Sequence, residues 1–175
     1  MMYAVTSGTD APAFEEYASD AWPSLYRHAY LLTGNHADAE DIAQQTLLKA
    51  YRSWSRICRS DSLEAYLRRI LTNTFLSARR PKKRRFELLT DTPPEHDSTP
   101  VHHGPEDRLM LWPYVKSLPP RQRVVIVLRY YEDLTEQEIA DTLGCSRGTV
   151  KSQAHRALKA LRAAMGSERA DGRES

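Results

Sequence analysis

The sequence predicts an all-α protein: two small helical domains joined by an extended acidic linker. Three observations carry that expectation. Apolar residues recur at three- and four-residue steps both before residue 86 and after residue 107, the period of helices with one buried face. Between them, residues 86–107 hold four prolines, scattered acids and no apolar periodicity, so they have too little to bury to form a packed element. Charge is divided in the same way. The net charge of +2 conceals segments of −6 over residues 1–48, +10 over 49–85, −6 over 86–107 and +4 over 108–175. Two basic blocks flanking an acidic one suggest a chain that meets nucleic acid in two places and other partners elsewhere. The boundaries that follow are a first domain at 10–85, a linker at 86–105, a second domain at 106–165 and a mobile polar tail at 166–175.

Residues 1–9 read as unanchored. The first helix is expected from Pro12, a good first-turn residue, to Thr33, with Phe14, Tyr17, Ala18, Ala21, Leu25, Ala29 and Leu32 turned inward. Pro23 should kink or divide it, because an interior proline removes a backbone bond and clashes with the preceding turn. Gly34 and Asn35 end it. A second helix, His36 to Trp54, opens with Asp38, Glu40 and Asp41 against the positive end of its dipole. Its inner stripe is Ala39, Ile42, Ala43, Thr46, Leu47, Ala50 and Trp54. Leu48 points away from that stripe, among Asp41, Gln44, Gln45 and Arg52, and reads either as part of a partner surface or as an ordinary exposed leucine.

A third helix is expected from Ser62 to Arg80, burying Leu63, Tyr66, Leu67, Ile70, Leu71, Thr74 and Phe75. It runs into a cluster in which six of the seven residues from Arg79 to Arg85 are cationic, either a phosphate contact or a solvated tail. Thr72 and Asn73 beside it are candidates to reach bases. Beyond the linker, a helix from Glu106 to Ser117 should stop at Leu118-Pro-Pro120, where prolines end one helix and begin the next, and Arg121 to Tyr131 should form a short buried helix.

The stretch from Leu134 to Met165 reads as helix, tight turn, helix. Thr135 and Glu138 form a capping box, Gly144 stands where a left-handed residue ends the first helix, and Ser146 caps the second. In that second helix Val150, Ala154, Ala157, Leu158, Leu161 and Met165 form the buried stripe. Arg147, Lys151, Ser152, His155, Arg156, Lys159 and Arg162 fall outside it and make a cationic, hydrogen-bonding face with no acidic residue of its own. The pattern fits a helix-turn-helix whose second helix enters a major groove, against the alternative of a basic solvated helix in a bundle.

Several classes are disfavoured. The longest apolar run, Val124 to Leu128, is too short to cross a bilayer, and no charged-then-apolar leader opens the chain, so no membrane insertion and a cytoplasmic location are expected. Cys58 and Cys145 are far apart and without zinc spacing, and the histidines make no HxxxH or HExxH pattern, so reduced thiols and no metal or cofactor are expected. No convergent carboxylates or nucleophile with a base suggest an enzyme. A stand-alone helix-turn-helix regulator is the competing reading, although the first half carries its own cationic helix and no heptad seam for dimerisation.

With both halves read, the chain resembles the extracytoplasmic-function sigma factors of bacterial RNA polymerase, from about Phe14 to Met165. DAEDIAQQTLLKAYRSW is similar to that family's polymerase-binding helix, AYLRRILTNTFLSARR to its promoter-melting helix, and LPPRQRVVIVLRYYEDLTEQEIADTLGCSRGTVKSQAHRALKALR to its DNA-reading domain, with GCSRGTVKSQ suggesting the SigE-like actinobacterial subgroup. The resemblance implies sigma region 2 at 10–85 and region 4 at 106–165. It implies that Asp41, Gln44, Gln45 and Leu48 face the clamp of the largest polymerase subunit and that region 4 meets the flap. Arg59, Ser60, Asp61 and Ser62, with Asn73, would capture an unstacked minus-ten base, with Arg69, Arg79 and Arg80 on the adjacent backbone. Lys151, Ser152, His155 and Arg156 would face the minus-thirty-five element, with Arg147 on phosphate. Promoter DNA, core polymerase and an anti-sigma protein are the implied partners. In the family the linker threads the polymerase's RNA channel, and Glu87, Asp91, Glu95 and Asp97 would act there as a nucleic-acid mimic. The loop ICRSDS lacks the aromatic residue some members place there, Tyr66 stands where many have tryptophan, and no long C-terminal extension follows the second domain.

Overall fold

Helices account for every regular element in the computed structural model, whose described residues are 14–79 and 105–171, with the backbone alone for 105–110 and 167–171. They are α1 (Phe14–Thr33), α2 (His36–Arg52), α3 (Trp54–Ile57), α4 (Leu63–Ala78), α5 (Pro105–Ser117), α6 (Pro120–Tyr130), α7 (Glu136–Leu143) and α8 (Arg147–Asp171). The chain divides after Ala78 into two compact units, the first four helices and the last four. No described helix is long and apolar enough to cross a membrane. The first turn expected at Pro12, Arg80, and Glu87, Asp91, Glu95 and Asp97 lie outside the described residues, as does the expected linker up to Pro105, where α5 begins.

In the first unit α1 packs on α2 and α4, and α2 on α4. The stripes expected from the period meet there: Leu25, Ala29 and Leu32 of α1, Ala39, Ile42, Ala43 and Ala50 of α2, and Leu67, Leu71 and Phe75 of α4 are all buried. Asn35 caps α2 by accepting from the Asp38 N–H at 2.8 Å. Lys49 of α2 donates to Thr74 of α4 at 2.8 Å, so one cation of the basic block serves as an interhelical tie. Phe14 meets Tyr51 and Trp54 edge-on, at 5.1 and 5.2 Å between ring centroids, which closes the start of α1 over the end of α2.

Four expectations for this unit are corrected. Pro23 does not divide α1, which continues as helix from Phe14 to Thr33. Pro23 and Ser19 are both exposed, so the carbonyl that loses its donor lies on a side that water can reach. The second helix stops at Arg52, two residues early, and a separate turn, α3, buries Ile57 completely. Thr72 is fully buried, and its hydroxyl has no hydrogen-bond partner among the described residues, so it does not reach bases. α4 ends at Ala78 rather than Arg80.

The second unit is organised on α6. Six consecutive residues, Arg123 to Leu128, are buried, as expected of a short helix surrounded on all sides. α5, α7 and α8 each pack on it, and α8 also packs on α5 and α7. Burial of Arg123 is offset by its guanidinium donating to the Lys116 carbonyl at 2.6 Å and the Leu118 carbonyl at 3.1 Å, which fastens the end of α5 to α6; burial also lowers its pKa. α8 continues as helix to Asp171, beyond the tail boundary expected at residue 166. Adding a residue to an existing helix needs no new nucleus, and the segment contains no proline to stop it.

His28 on α1 was not expected in the core and is buried there. Burial, reinforced by the Arg68 and Arg27 charges, pushes its pKa down to about 3. The unfolded chain therefore takes up a proton near the ordinary histidine pKa, about 6.5, that the folded chain refuses until far lower pH. The stability due to neutral burial is present above that value and is lost as pH falls towards 3. Between about pH 7.5 and pH 5.5 the loss should be ~1.4 kcal/mol. Urea unfolding of the full chain, followed by tryptophan fluorescence, should show this extra slope, and His28→Gln should remove it; a slope unchanged by the substitution would contradict the burial argument.

Candidate nucleic-acid and partner interfaces

The turn between α7 and α8 is determined by local bonds. Glu138 accepts from the Thr135 N–H at 2.8 Å, and the Glu138 N–H reaches back to the Thr135 hydroxyl at 3.3 Å, so the capping box is closed in both directions. Gly144 adopts φ 62° and ψ 41°, and the Cys145 N–H bonds the Ala140 carbonyl at 3.0 Å, which reverses the chain within a few residues. Ser146 then accepts the Thr149 N–H at 3.1 Å and starts α8. Burial pushes the Cys145 and Cys58 thiols up, away from thiolate; both are free cysteines.

Val150, Ala154, Ala157 and Leu161 are buried, whereas Arg147, Lys151, His155, Arg156, Lys159 and Arg162 are exposed along the opposite side of α8. Ser152 is half-buried and donates to the Thr149 carbonyl at 3.0 Å, leaving its oxygen as an acceptor at the edge of the face. The cationic face is not free of acid in three dimensions. Glu136, the first residue of α7, holds Arg129 of α6 at 3.2 Å and lies 3.8 Å from Arg147 and 4.0 Å from Lys151.

On α2, Asp41, Gln44, Gln45 and Leu48 are exposed on one face. Gln45 donates to Asp41 at 2.8 Å and Gln44 to Glu40 at 3.2 Å, so the amides are ordered by their own helix. Leu48 is 52% exposed and Tyr51, one turn further, 57%. Together they give this face an apolar end.

The minus-ten set is spread over a loop and a helix. Arg59 and Asp61 are exposed, Ser60 donates to the Ile57 carbonyl at 2.6 Å, and Ser62 caps α4 by accepting the Ala65 N–H at 3.1 Å. Arg69 and Asn73, one turn apart, share an exposed side of α4 that Arg79 follows. Ser62 and Asn73 stand about 16 Å apart along the helix at 1.5 Å per residue. Arg56 donates to the Tyr66 hydroxyl at 2.7 Å and lies over its ring, placing a cation and an aromatic beside the loop. In the second unit Leu111, Val115, Ile126, Tyr130 and Leu158 line an apolar groove.

Known proteins match both helical units. Residues 15–85 match the family Sigma-70 region 2, and residues 108–161 match Sigma-70, region 4. The RNA polymerase sigma-E factor of Streptomyces avermitilis is 39% identical over 163 residues, covering 91% of this chain and 89% of its own length. The chain belongs to the extracytoplasmic-function sigma factors. The sigma-E factor of Streptomyces coelicolor is 40% identical over 85% of this chain and 84% of its own, and the ECF sigma factor SigE of Mycolicibacterium smegmatis is 37% identical over 86% and 61%. Among solved structures, the sigma factor RpoE crystallised with the anti-sigma factor NepR from Bartonella quintana is 27% identical, with a TM-score of 0.63 over 87% of this chain and 96% of that one.

As a sigma factor the protein is a non-enzymatic initiation subunit that binds core RNA polymerase and directs transcription from promoters, including their melting. Sequence reasoning did not place Tyr51, Arg56 and Glu136 beside the candidate residues. Tyr51 carried a usable signal, since it lies three residues beyond Leu48 on the same helix side. Glu136 carried none, because its neighbours Arg129 and Arg147 lie seven and eleven residues away on other helices.

The helix-turn-helix depends on the left-handed residue at its bend. A Cβ at Gly144 would meet nothing within 4 Å, so substitution costs only backbone strain. Gly144→Ala should lower the stability of the second unit by about 1 kcal/mol and Gly144→Asn by less, because asparagine tolerates this region. Thermal unfolding of the full chain checks the order; equal losses for both would show that conformation is not the determinant.

Proposed function

We propose that the sigma factor divides initiation among three faces. Asp41, Gln44, Gln45 and Leu48, extended by Tyr51, dock on the clamp of the largest polymerase subunit. Arg59, Ser60, Asp61 and Ser62 meet the opened minus-ten strand, with Asn73, Arg69, Arg79 and Arg80 further along it; the separation of Ser62 from Asn73 favours contacts to different nucleotides. Lys151, Ser152, His155 and Arg156 read the minus-thirty-five element in the major groove, and Arg147 holds phosphate. The apolar groove of the second unit suits the polymerase flap. The units 10–85 and 106–165 thus act as regions 2 and 4, and the protein works in the cytoplasm, where polymerase is.

The observation that carries this reading is Leu48, half-exposed on a face whose opposite side is fully packed. An anti-sigma protein is the further partner proposed, supported by the relative from Bartonella quintana that was crystallised with one.

Reconstitution with core polymerase separates the faces. Leu48→Asp should weaken core binding by at least tenfold, since a buried leucine contributes about 1.5–3 kcal/mol, and should leave promoter preference intact in the complexes that still form. Arg156→Ala should leave core affinity unchanged and reduce promoter-specific initiation by about tenfold, the scale of one base contact. Equal effects of each substitution on both properties would contradict the division.

A further inference from the structure

We propose that Glu136 is a specificity-determining residue of the DNA-reading face: its carboxylate restrains Arg147 and Lys151 from indiscriminate phosphate contact. The inference rests on α8 being the helix that reads duplex DNA. One carboxylate oxygen is anchored by Arg129 at 3.2 Å, itself carried by the buried helix α6, and the other lies 3.8 Å from the Arg147 guanidinium and 4.0 Å from the Lys151 amine. Glu136 is 21% exposed, whereas Arg147 and Lys151 are 60% and 61% exposed. A fixed, partly shielded anion therefore faces two cations that water and DNA can reach.

The position of Arg147 gives the carboxylate a second role. Arg147 is the first residue of α8, at the positive end of the helix dipole, and the first turn of α8 contains no acidic residue. Glu136 supplies from α7 the negative charge that this terminus lacks. Exposed ion pairs at such distances are weak, which suits a restraint that must yield. A phosphate competes with the carboxylate on nearly equal terms, whereas a phosphate together with the base contacts of Ser152, His155 and Arg156 outcompetes it. The carboxylate thus suppresses binding to any duplex more than binding to the right one, which is specificity obtained by opposing the wrong partner.

Glu136→Gln keeps the size and the ability to bond Arg129 while removing the charge. The probes are a random-sequence duplex and a duplex selected from a random pool by the unmodified sigma factor with core polymerase. At about 0.15 M salt, core polymerase carrying the full chain with Glu136→Gln should bind the random duplex about three- to tenfold more tightly than core carrying the unmodified chain, with a salt dependence steeper by about one phosphate contact. Binding to the selected duplex should change less, so discrimination falls. The gain should vanish when Arg147 and Lys151 are both replaced by glutamine. If Glu136→Gln fails to fold, Glu136→Asp, which draws the charge back by one methylene, should give a smaller gain in the same direction. Unchanged binding to the random duplex, a gain that persists without the two cations, or equal weakening on both duplexes would overturn the proposal. Failure to select any duplex would instead remove the assignment of α8 on which it rests.

Discussion

A helix has only 3.6 residues per turn to divide between core and solvent, and in units this small the division decides where function can lie. Once Val150, Ala154, Ala157 and Leu161 are committed to the interior, Arg147, Lys151, His155 and Arg156 have no other direction than outward. The same holds for α2, where Ala39, Ile42, Ala43, Thr46 and Ala50 are buried and leave Asp41, Gln45 and Leu48 bare. The proposed interaction surfaces are what remains after each core has taken its stripe. Both faces are carried on helices, so their side chains keep fixed spacing, which suits recognition of a duplex or a partner helix better than a loop would.

Orientation comes from polar bonds rather than from the stripes. The reciprocal bonds of Thr135 and Glu138, the left-handed Gly144 and the Ser146 cap fix the angle at which α8 leaves α7. Arg123 ties α5 to α6 through two carbonyls, and Arg129 ties α6 to α7 through Glu136. Each of these groups is costly to bury or expose without its partner, so geometry is specified at the places where apolar packing is least directional. Glu136 belongs to both descriptions: it braces the unit and stands beside the cations of its outer face.

Features confined to a few neighbouring residues were legible in the sequence. The capping box, the glycine turn, the prolines between α5 and α6 and the exposed Leu48 each follow from spacing and residue type alone, and the long helices lie where their periods put them except at the C-terminal ends of α2, α4 and α8. Features requiring two helices to meet were not. Thr72 sits at the edge of the α4 stripe, and only its packing decides that it is buried; His28 is polar and gave no sign of entering the core; Ile57 lies in a turn too short to have a period. Glu136 reads locally as a first-turn acid of α7, and its proximity to Arg147 and Lys151 exists only because the turn folds α8 back. The family resemblance named the surfaces but not this contact.

The two helical units are proposed to act together only on polymerase. The most direct measurement is capture of genomic promoter fragments by the purified full chain, with and without bacterial core RNA polymerase, together with detection of unpaired bases in the captured DNA. Selective capture and an opened minus-ten region are expected only when core is present. Selective binding by the chain alone, unaffected by core and without opening, would contradict the proposal.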